Sequence, residues 1–171
     1  MAGKERIPWD FRPCQWQGEP QLLDADHWME HPLMSGGSVP VRAIWEETKQ
    51  GVDALLARHG YLRDGHIFRC EDNKDDILVL FCHFGIMSFV MAAIAGLSPV
   101  PMLQAFCAAP SSVTTLVTEE REKGKVVFRC SGFGDVSHLA MADERPSTAA
   151  LYCECYDGRD STDPIEWEKN K

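Results

Sequence analysis

The run ILVLFCH at residues 77–83 constrains the fold of this chain more than any other stretch. Its apolar residues follow one another almost without alternation, which is the pattern of a strand buried on both faces of a parallel sheet. Small and apolar residues then continue from Gly85 to Leu97 with the pattern of a buried helix. The sequence therefore predicts that a buried strand passes directly into a helix at His83.

The neighbouring patterns predict an α/β fold with a mostly parallel sheet flanked by helices. A helix is expected over residues 41–59 and a short strand over 66–70. Two further strands, over 112–120 and 125–132, are joined by the charged stretch REKG, which predicts a hairpin. Open α/β sheets bind ligands at the carboxyl ends of their strands, and His83 lies at such an end.

The chain divides by its pattern into three parts. Residues 1–34 have no lasting periodicity, and they predict a long loop with short helical turns that acts as a lid. Residues 35–140 hold the regular patterns and are expected to form the domain, while the acidic residues 141–171 predict a partly ordered tail. The opening loop holds three tryptophans, which either line a substrate pocket or cover the core: Trp9, Trp16 and Trp28.

The composition argues against several classes of function. The 171 residues carry a formal net charge of -9, whereas nucleic-acid binders need clustered Lys and Arg for the phosphate backbone. A local positive pocket for a small anion is still compatible with an acidic chain. No apolar stretch reaches membrane-spanning length without a break, and the start MAGKERIPWD lacks the apolar part of a secretory signal. We therefore expect a cytoplasmic protein that binds neither nucleic acid nor membrane.

The seven cysteines are expected to be free thiols rather than disulfides. Their number is odd, the chain is long, and a reducing cytoplasm disfavours disulfides. Four of them lie in or beside apolar runs and are expected to behave as small hydrophobes: Cys70, Cys82, Cys107 and Cys130.

The chemistry of a histidine at the start of a helix favours an anion site. The first N–H groups of a helix have no partner inside it and carry partial positive charge, which suits phosphate above all. His83 is placed to bind the same anion, and Gly85 allows its close approach. The alternative is that His83 is only a hydrogen-bonded histidine at a strand end, and the spacing alone leaves both interpretations open.

A resemblance to a known family adds to this interpretation. The run ILVLFCHFGIMSFVMAAIAGLS, followed by PVPMLQAFCAAPSSVTTLVTEE, resembles the second half of the histidine phosphatase (phosphoglycerate mutase-like) superfamily. SGGSVPVRAIWEETKQGVDALL is similar to the segment that leads into the helix before this strand, and KVVFRCSGFGDVSHL to the final strand and turn. The resemblance covers residues 35–139.

The resemblance implies a phosphate-monoester hydrolase or phosphomutase that acts on a small phosphorylated substrate without metal or cofactor. Such an enzyme combines a nucleophilic histidine with an electrostatic clamp on the phosphoryl group. By position, His83 matches the second, phosphate-holding histidine of the catalytic site, and the backbone N–H of Phe84 is expected to help bind the phosphate. The family often has Gly directly after this histidine, where this chain has Phe84.

The sequence departs from the family pattern at the nucleophile. The family's first strand ends in Arg-His-Gly, and this triplet occurs here only at Arg58-His59-Gly60, where it is predicted to be the polar end of a helix. The chain thus resembles a family member that lacks its first strand and helix, and it is expected to be inactive or incomplete. It is a truncated product, a domain completed by a second chain, or a non-catalytic relative. The acidic residue of the site has no clear match, with Glu19 and Glu30 as candidates by type.

The loss of that strand leads to the alternative function. A sheet without its central strand exposes an edge and apolar surface, so self-association through the exposed edge is expected. The chain is then a non-catalytic phosphate-binding or interaction module completed by another chain.

Two other clusters are candidate metal sites by residue type. HWMEH, with His27 and His31 four residues apart, does not have the zincin order His-Glu-x-x-His, and a polar loop or helical turn is expected instead. CEC at 153–155 with His138 fits no standard zinc spacing, and incidental thiols in a tail are expected. No metal is therefore predicted.

Overall fold

The structure of the chain is a computed structural model, and it describes residues 11–35, 39–72, 74–149 and 151. A short 3-10 turn covers Trp28–Glu30. The helices are α1 Pro13–Trp16, α2 Pro20–Leu23, α3 Pro32–Ser35, α4 Val41–Arg58, α5 Phe84–Ala95, α6 Val100–Ala105 and α7 Ser137–Met141. The strands are β1 Leu62–Asp64, β2 Ile67–Arg69, β3 Val113–Glu122 and β4 Lys125–Asp135.

The four strands form one sheet in the order β1-β2-β4-β3. β1 pairs antiparallel with β2, and β2 pairs antiparallel with β4 through Phe68 opposite Val126. Both chain-neighbour pairs turn over two residues, Gly65-His66 and Lys123-Gly124. Connections this short join only antiparallel strands, because a parallel pair needs a crossover of a dozen residues or more.

The predicted mostly parallel α/β sheet is therefore wrong. Residues 77–83 belong to no strand, and the side chains of Ile77 and Phe81 are 89% and 96% exposed. A parallel strand needs a neighbouring parallel strand to satisfy its N–H and C=O groups, and the described residues form only antiparallel pairs. An apolar run is buried in a sheet only where a partner strand pairs with it. The described residues provide no such partner for residues 77–83.

The other predicted elements are confirmed. α4 covers all but the last residue of the helix predicted over 41–59, and β2 lies inside the strand predicted over 66–70. β3 and β4 form the predicted hairpin, and α5 follows His83 as expected. Residues 11–35 consist of short helical turns, as predicted for the opening loop, while Trp9 lies outside the described residues.

The chain forms two compact units. The first is built from Met1–Phe106 and Thr118–Arg129, and the second from Cys107–Val117 and Cys130–Lys171, in each case as far as the residues are described. In the second unit the N–H of Gly134 donates to Oγ1 of Thr114 at 3.1 Å.

The core of the first unit lies between α4 and α5. α4 buries residues spaced four and seven apart, which places them on one helical face: Val41, Trp45, Val52 and Leu56. Trp28 is fully buried, and its ring lies 5.4 Å from that of Trp45 and 6.2 Å from that of Phe89. Of the two roles considered for Trp28, the structure places it in the core and not in a lid.

The cysteines follow the prediction only in part. Five described cysteines are free thiols, as expected, and Cys70 is buried. Cys82, Cys107 and Cys130 are exposed, so the prediction that they pack as small hydrophobes is wrong. No helix among the described residues is both long enough and apolar enough to cross a membrane.

Candidate functional site

The start of α5 forms the candidate site predicted from the sequence. His83 is the N-cap residue, with extended backbone angles (φ -107°, ψ 161°), and its carbonyl accepts the first helical hydrogen bond from the N–H of Met87 at 2.8 Å. The N–H groups of Phe84, Gly85 and Ile86 therefore precede the first intrahelical bond and have no helical acceptor. These donors and the helix dipole make the position attractive to an anion.

The His83 side chain is available for such an anion. It is exposed, and within the described part of the chain it makes no capping hydrogen bond to the helix and no ion pair. The alternative interpretation, a histidine already satisfied at a strand end, requires a partner that the described residues do not supply. Phe84, which the resemblance pairs with His83, is half-buried and follows it as the first residue of α5.

A buried side-chain hydrogen bond stabilises the first two turns of α5. Ser88 is fully buried, and its hydroxyl donates to the carbonyl of Phe84 at 2.9 Å. The twelve-residue helix ends at Gly96, whose φ of 67° is left-handed, as is common for a helix C-cap glycine. α5 is thus a well-anchored helix whose N-terminus faces solvent.

The neighbouring thiol does not oppose an anion. Desolvation raises the pKa of the Cys82 thiol above its usual value of 9.0, so that the thiol stays protonated and uncharged at neutral pH. A thiolate beside His83 would repel a phosphate, and its absence keeps the local charge balance favourable.

The expectation of a hydrolase or phosphatase finds no support in the described residues. Arg58 is the last residue of α4, His59 is its C-cap, and Gly60 has a φ of 90°, so Arg58-His59-Gly60 is a helix end as predicted. Nδ1 of His59 lies 2.6 Å from Oδ2 of Asp76. A histidine whose ring is held by a carboxylate at the end of a helix is not the strand-end nucleophile that the family uses.

The histidines of the opening segment serve local structure. Nδ1 of His27 lies 3.0 Å from Oδ1 of Asp24, and Nε2 of His31 lies 3.4 Å from Oε2 of Glu19. The expected helical turn is present as the 3-10 turn Trp28–Glu30. Glu19 is thus paired within its own segment.

Metal ligands are not clustered in the described part of the chain. There, no group of three His, Cys, Asp or Glu side chains is close enough to hold a metal ion. The CEC stretch at 153–155, considered with His138, lies outside the described residues.

A cleft in the first unit was missed by the sequence interpretation. It has a volume of about 410 Å³ and is lined by residues of α4, of the C-terminal end of α5 and of the β1–β2 turn, including Trp45, Lys49, Arg63, His66 and Leu97. Two sequence signals were available. Trp45 and Lys49 are four apart and so share a face of α4, and the Asp64-Gly65 pair marks the turn that carries His66.

Comparison of the chain with protein-family models, with curated proteins and with solved structures finds no match.

Proposed function

We propose that this chain binds the phosphoryl group of a small phosphorylated ligand at the start of α5, as a non-catalytic relative of the histidine phosphatases. His83 and the backbone N–H of Phe84 hold the phosphate. The observation that carries the proposal is the exposed ring of His83, the N-cap residue of α5, which has no hydrogen-bond partner among the described residues. The sequence resemblance assigns the same histidine to the phosphate, although the residues before it form no strand in the structure.

The binding follows from elementary electrostatics. A phosphate oxygen accepts hydrogen bonds from the free N–H groups of the first turn, and a second oxygen accepts from the imidazole of His83. Hydrogen bonds to a charged group contribute about 1.5–3 kcal/mol each, and the helix dipole adds roughly 0.3–1 kcal/mol. Together these terms suit a weak to moderate complex, which matches a site that is open to solvent.

Turnover is not expected from this chain. Phosphoryl transfer through a histidine needs an attacking imidazole placed on the phosphorus and cations that stabilise the developing charge. The Arg58-His59-Gly60 triplet ends α4, and Asp76 holds His59. The guanidinium of Arg63 forms an ion pair with Asp53, with Nε and Nη2 both 2.7 Å from Oδ1. Binding without hydrolysis is therefore the function that we propose.

Calorimetric titration of the full chain with inorganic phosphate tests this function. Saturable binding by the wild type, lost in His83→Ala and kept in His138→Ala, is the expected result. His138 is a suitable control because it is also an exposed histidine at a helix, α7. Binding that is equal in wild type and His83→Ala, or hydrolysis of p-nitrophenyl phosphate by the purified chain, would contradict the proposal.

A second candidate function is an interaction module. Residues 77–82, here called the apolar segment, belong to no strand, and their large side chains are exposed, with Val79 at 68% and Phe81 at 96%. Single exposed apolar residues are common on protein surfaces, whereas a contiguous run marks a contact surface. The sheet also has two outer strands, β1 and β3, whose outer N–H and C=O groups suit a further strand. We propose that a second copy of the chain covers the apolar segment.

A further inference from the structure

The cleft between α4 and α5 carries a feature that the phosphate site does not use. Its volume of about 410 Å³ lies within the range that holds small-molecule ligands. It forms where the α5 side chains are small, at Ala92, Ala93 and Gly96. The opposite side is the face of α4 that carries Trp45 and Lys49.

The apolar wall of the cleft is fixed in place. The Trp45 ring stands edge-on to Trp28 at 5.4 Å and to Phe89 at 5.9 Å, so its orientation is set by the core. Leu97 is 55% exposed and belongs to the same lining. A flat apolar group that enters the cleft meets the Leu97 side chain and the accessible edge of the Trp45 ring, which is 5% exposed.

The cleft also has a rigid polar side. A Cβ at Gly96 would lie 2.5 Å from Cβ of His66, which shows how closely the β1–β2 turn packs on the end of α5. The packing of the chain itself therefore holds the turn against the helix. Ligand binding therefore needs little free energy to order the site, because its walls are preorganised.

Lys49 is the basic residue of the cleft lining that has no ion-pair partner among the described residues. The charge of Arg63 is balanced by Asp53 at 2.7 Å, and Nε2 of His66 lies 3.6 Å from Oδ2 of Asp26. Within the described part of the chain, no carboxylate lies within ion-pair distance of Lys49, which is exposed. The ammonium of Lys49 beside an apolar wall suits a ligand with a single negative charge.

We infer that the cleft binds a small monocarboxylate with a flat apolar body. The carboxylate pairs with the ammonium of Lys49, and the apolar body lies against Leu97 and the accessible edge of Trp45. A dianion such as phosphate is matched less well, because Asp26 also lines the cleft and opposes a second negative charge. This site and ligand class are separate from the phosphate site at His83.

Titration of the full chain with phenylacetate, followed by two-dimensional 1H–15N NMR, tests the inference. Phenylacetamide is the matched neutral ligand, since it has the same shape without the charge. We expect saturable shifts of the Trp45 indole N–H and of the Gly65 and Gly96 amides, with millimolar or tighter affinity. Phenylacetamide is expected to bind at least about tenfold more weakly.

Variants at exposed positions keep the test independent of folding. Lys49→Gln is expected to weaken phenylacetate binding about tenfold, Lys49→Arg to keep it, and Leu97→Asp to abolish it by like-charge repulsion. Lys123→Gln removes the same charge from the β3–β4 turn and should change nothing. His83→Ala should also change nothing, which separates this site from the phosphate site.

Four results would overturn the inference. They are the absence of saturable binding by the wild type, equal affinity for phenylacetamide, unchanged affinity in Lys49→Gln, and shifts confined to residues outside the cleft.

Discussion

Nδ1 of His59 lies 2.6 Å from Oδ2 of Asp76, which ties the end of α4 to the residue just before the apolar segment. The two side chains are 17 positions apart in sequence and are 27% and 45% exposed. The contact explains why the one Arg-His-Gly triplet of the chain is structural. It also fixes one end of a segment that has no strand partner of its own.

Asp76→Asn is expected to loosen the apolar segment. The substitution removes the charged acceptor of the His59 ring, and the loss of global stability should stay below about 1 kcal/mol because the pair is partly exposed. Amide 15N relaxation should show larger motion at residues 77–80 in this variant than in the wild type. Asp75→Asn is the matched control, and the same relaxation in both variants would contradict the role of the pair.

Gly96→Ala is expected to destabilise the chain. The residue has a φ of 67°, where an L-residue costs about 1–2 kcal/mol, and the new Cβ would press on His66. Gly51→Ala is the opposite case, since a Cβ there meets nothing within 4 Å in the middle of α4. It should stabilise the chain by roughly 0.5–1 kcal/mol. Denaturant unfolding measures both, and a neutral Gly96→Ala would refute the close packing.

The Asp24–His27 pair is expected to stabilise the chain only within a limited range of pH. Hydrogen bonds from the backbone N–H groups of Asp26 and His27 and from the His27 ring lower the pKa of Asp24 below 3.8. The hydrogen bond to Asp24 raises the pKa of His27 above 6.5. The stabilisation from His27 is fully present below pH 6.5, and it is lost as the pH rises through the raised pKa of His27. That from Asp24 is complete above 3.8 and is lost as pH falls through its lowered pKa.

Asp24→Asn is therefore expected to return the pKa of His27 towards 6.5. The titration of the His27 ring protons by NMR measures this change. Glu19→Gln removes the carboxylate beside His31 instead, and it should leave the pKa of His27 where it is. An unchanged pKa of His27 in Asp24→Asn would show that the pair does not form in solution.

Local patterns predicted local structure well. The helix predicted over 41–59 is present as α4, because its apolar residues recur on one face. The hairpin predicted at REKG is also present, with Lys123-Gly124 as its two-residue turn. The start of α5 at Phe84 was also placed correctly. Each of these depends on residues that are close in sequence.

The prediction for residues 77–83 was wrong because it depended on a distant partner. An apolar run shows that a segment gains by burial, but not that another strand is there to pair with it. β1 was missed because three residues give too little alternation, although Asp64-Gly65 marks its turn. The sequence did not predict the cleft, because Lys49, Arg63 and His66 come together only through tertiary packing of α4, α5 and the β1–β2 turn.

Phe81→Asp is expected to keep the chain monomeric. Phe81 is 96% exposed in the apolar segment, and a charge there opposes burial by a second copy. Analytical ultracentrifugation over a range of concentrations should show a dimer for the wild type and a monomer for the variant. Met141→Asp is the control, since Met141 is 89% exposed but lies in α7. A wild type that stays monomeric at every concentration would rule out the interaction module formed by two copies.

The most direct test of the phosphate site is an NMR titration of the 15N-labelled chain with inorganic phosphate. Binding at the start of α5 predicts saturable shifts of the Phe84, Gly85 and Ile86 amides and of the His83 ring, and their loss in His83→Ala. Shifts that are absent, or that persist at these amides in His83→Ala, would contradict the assignment of His83 as the phosphate-holding residue.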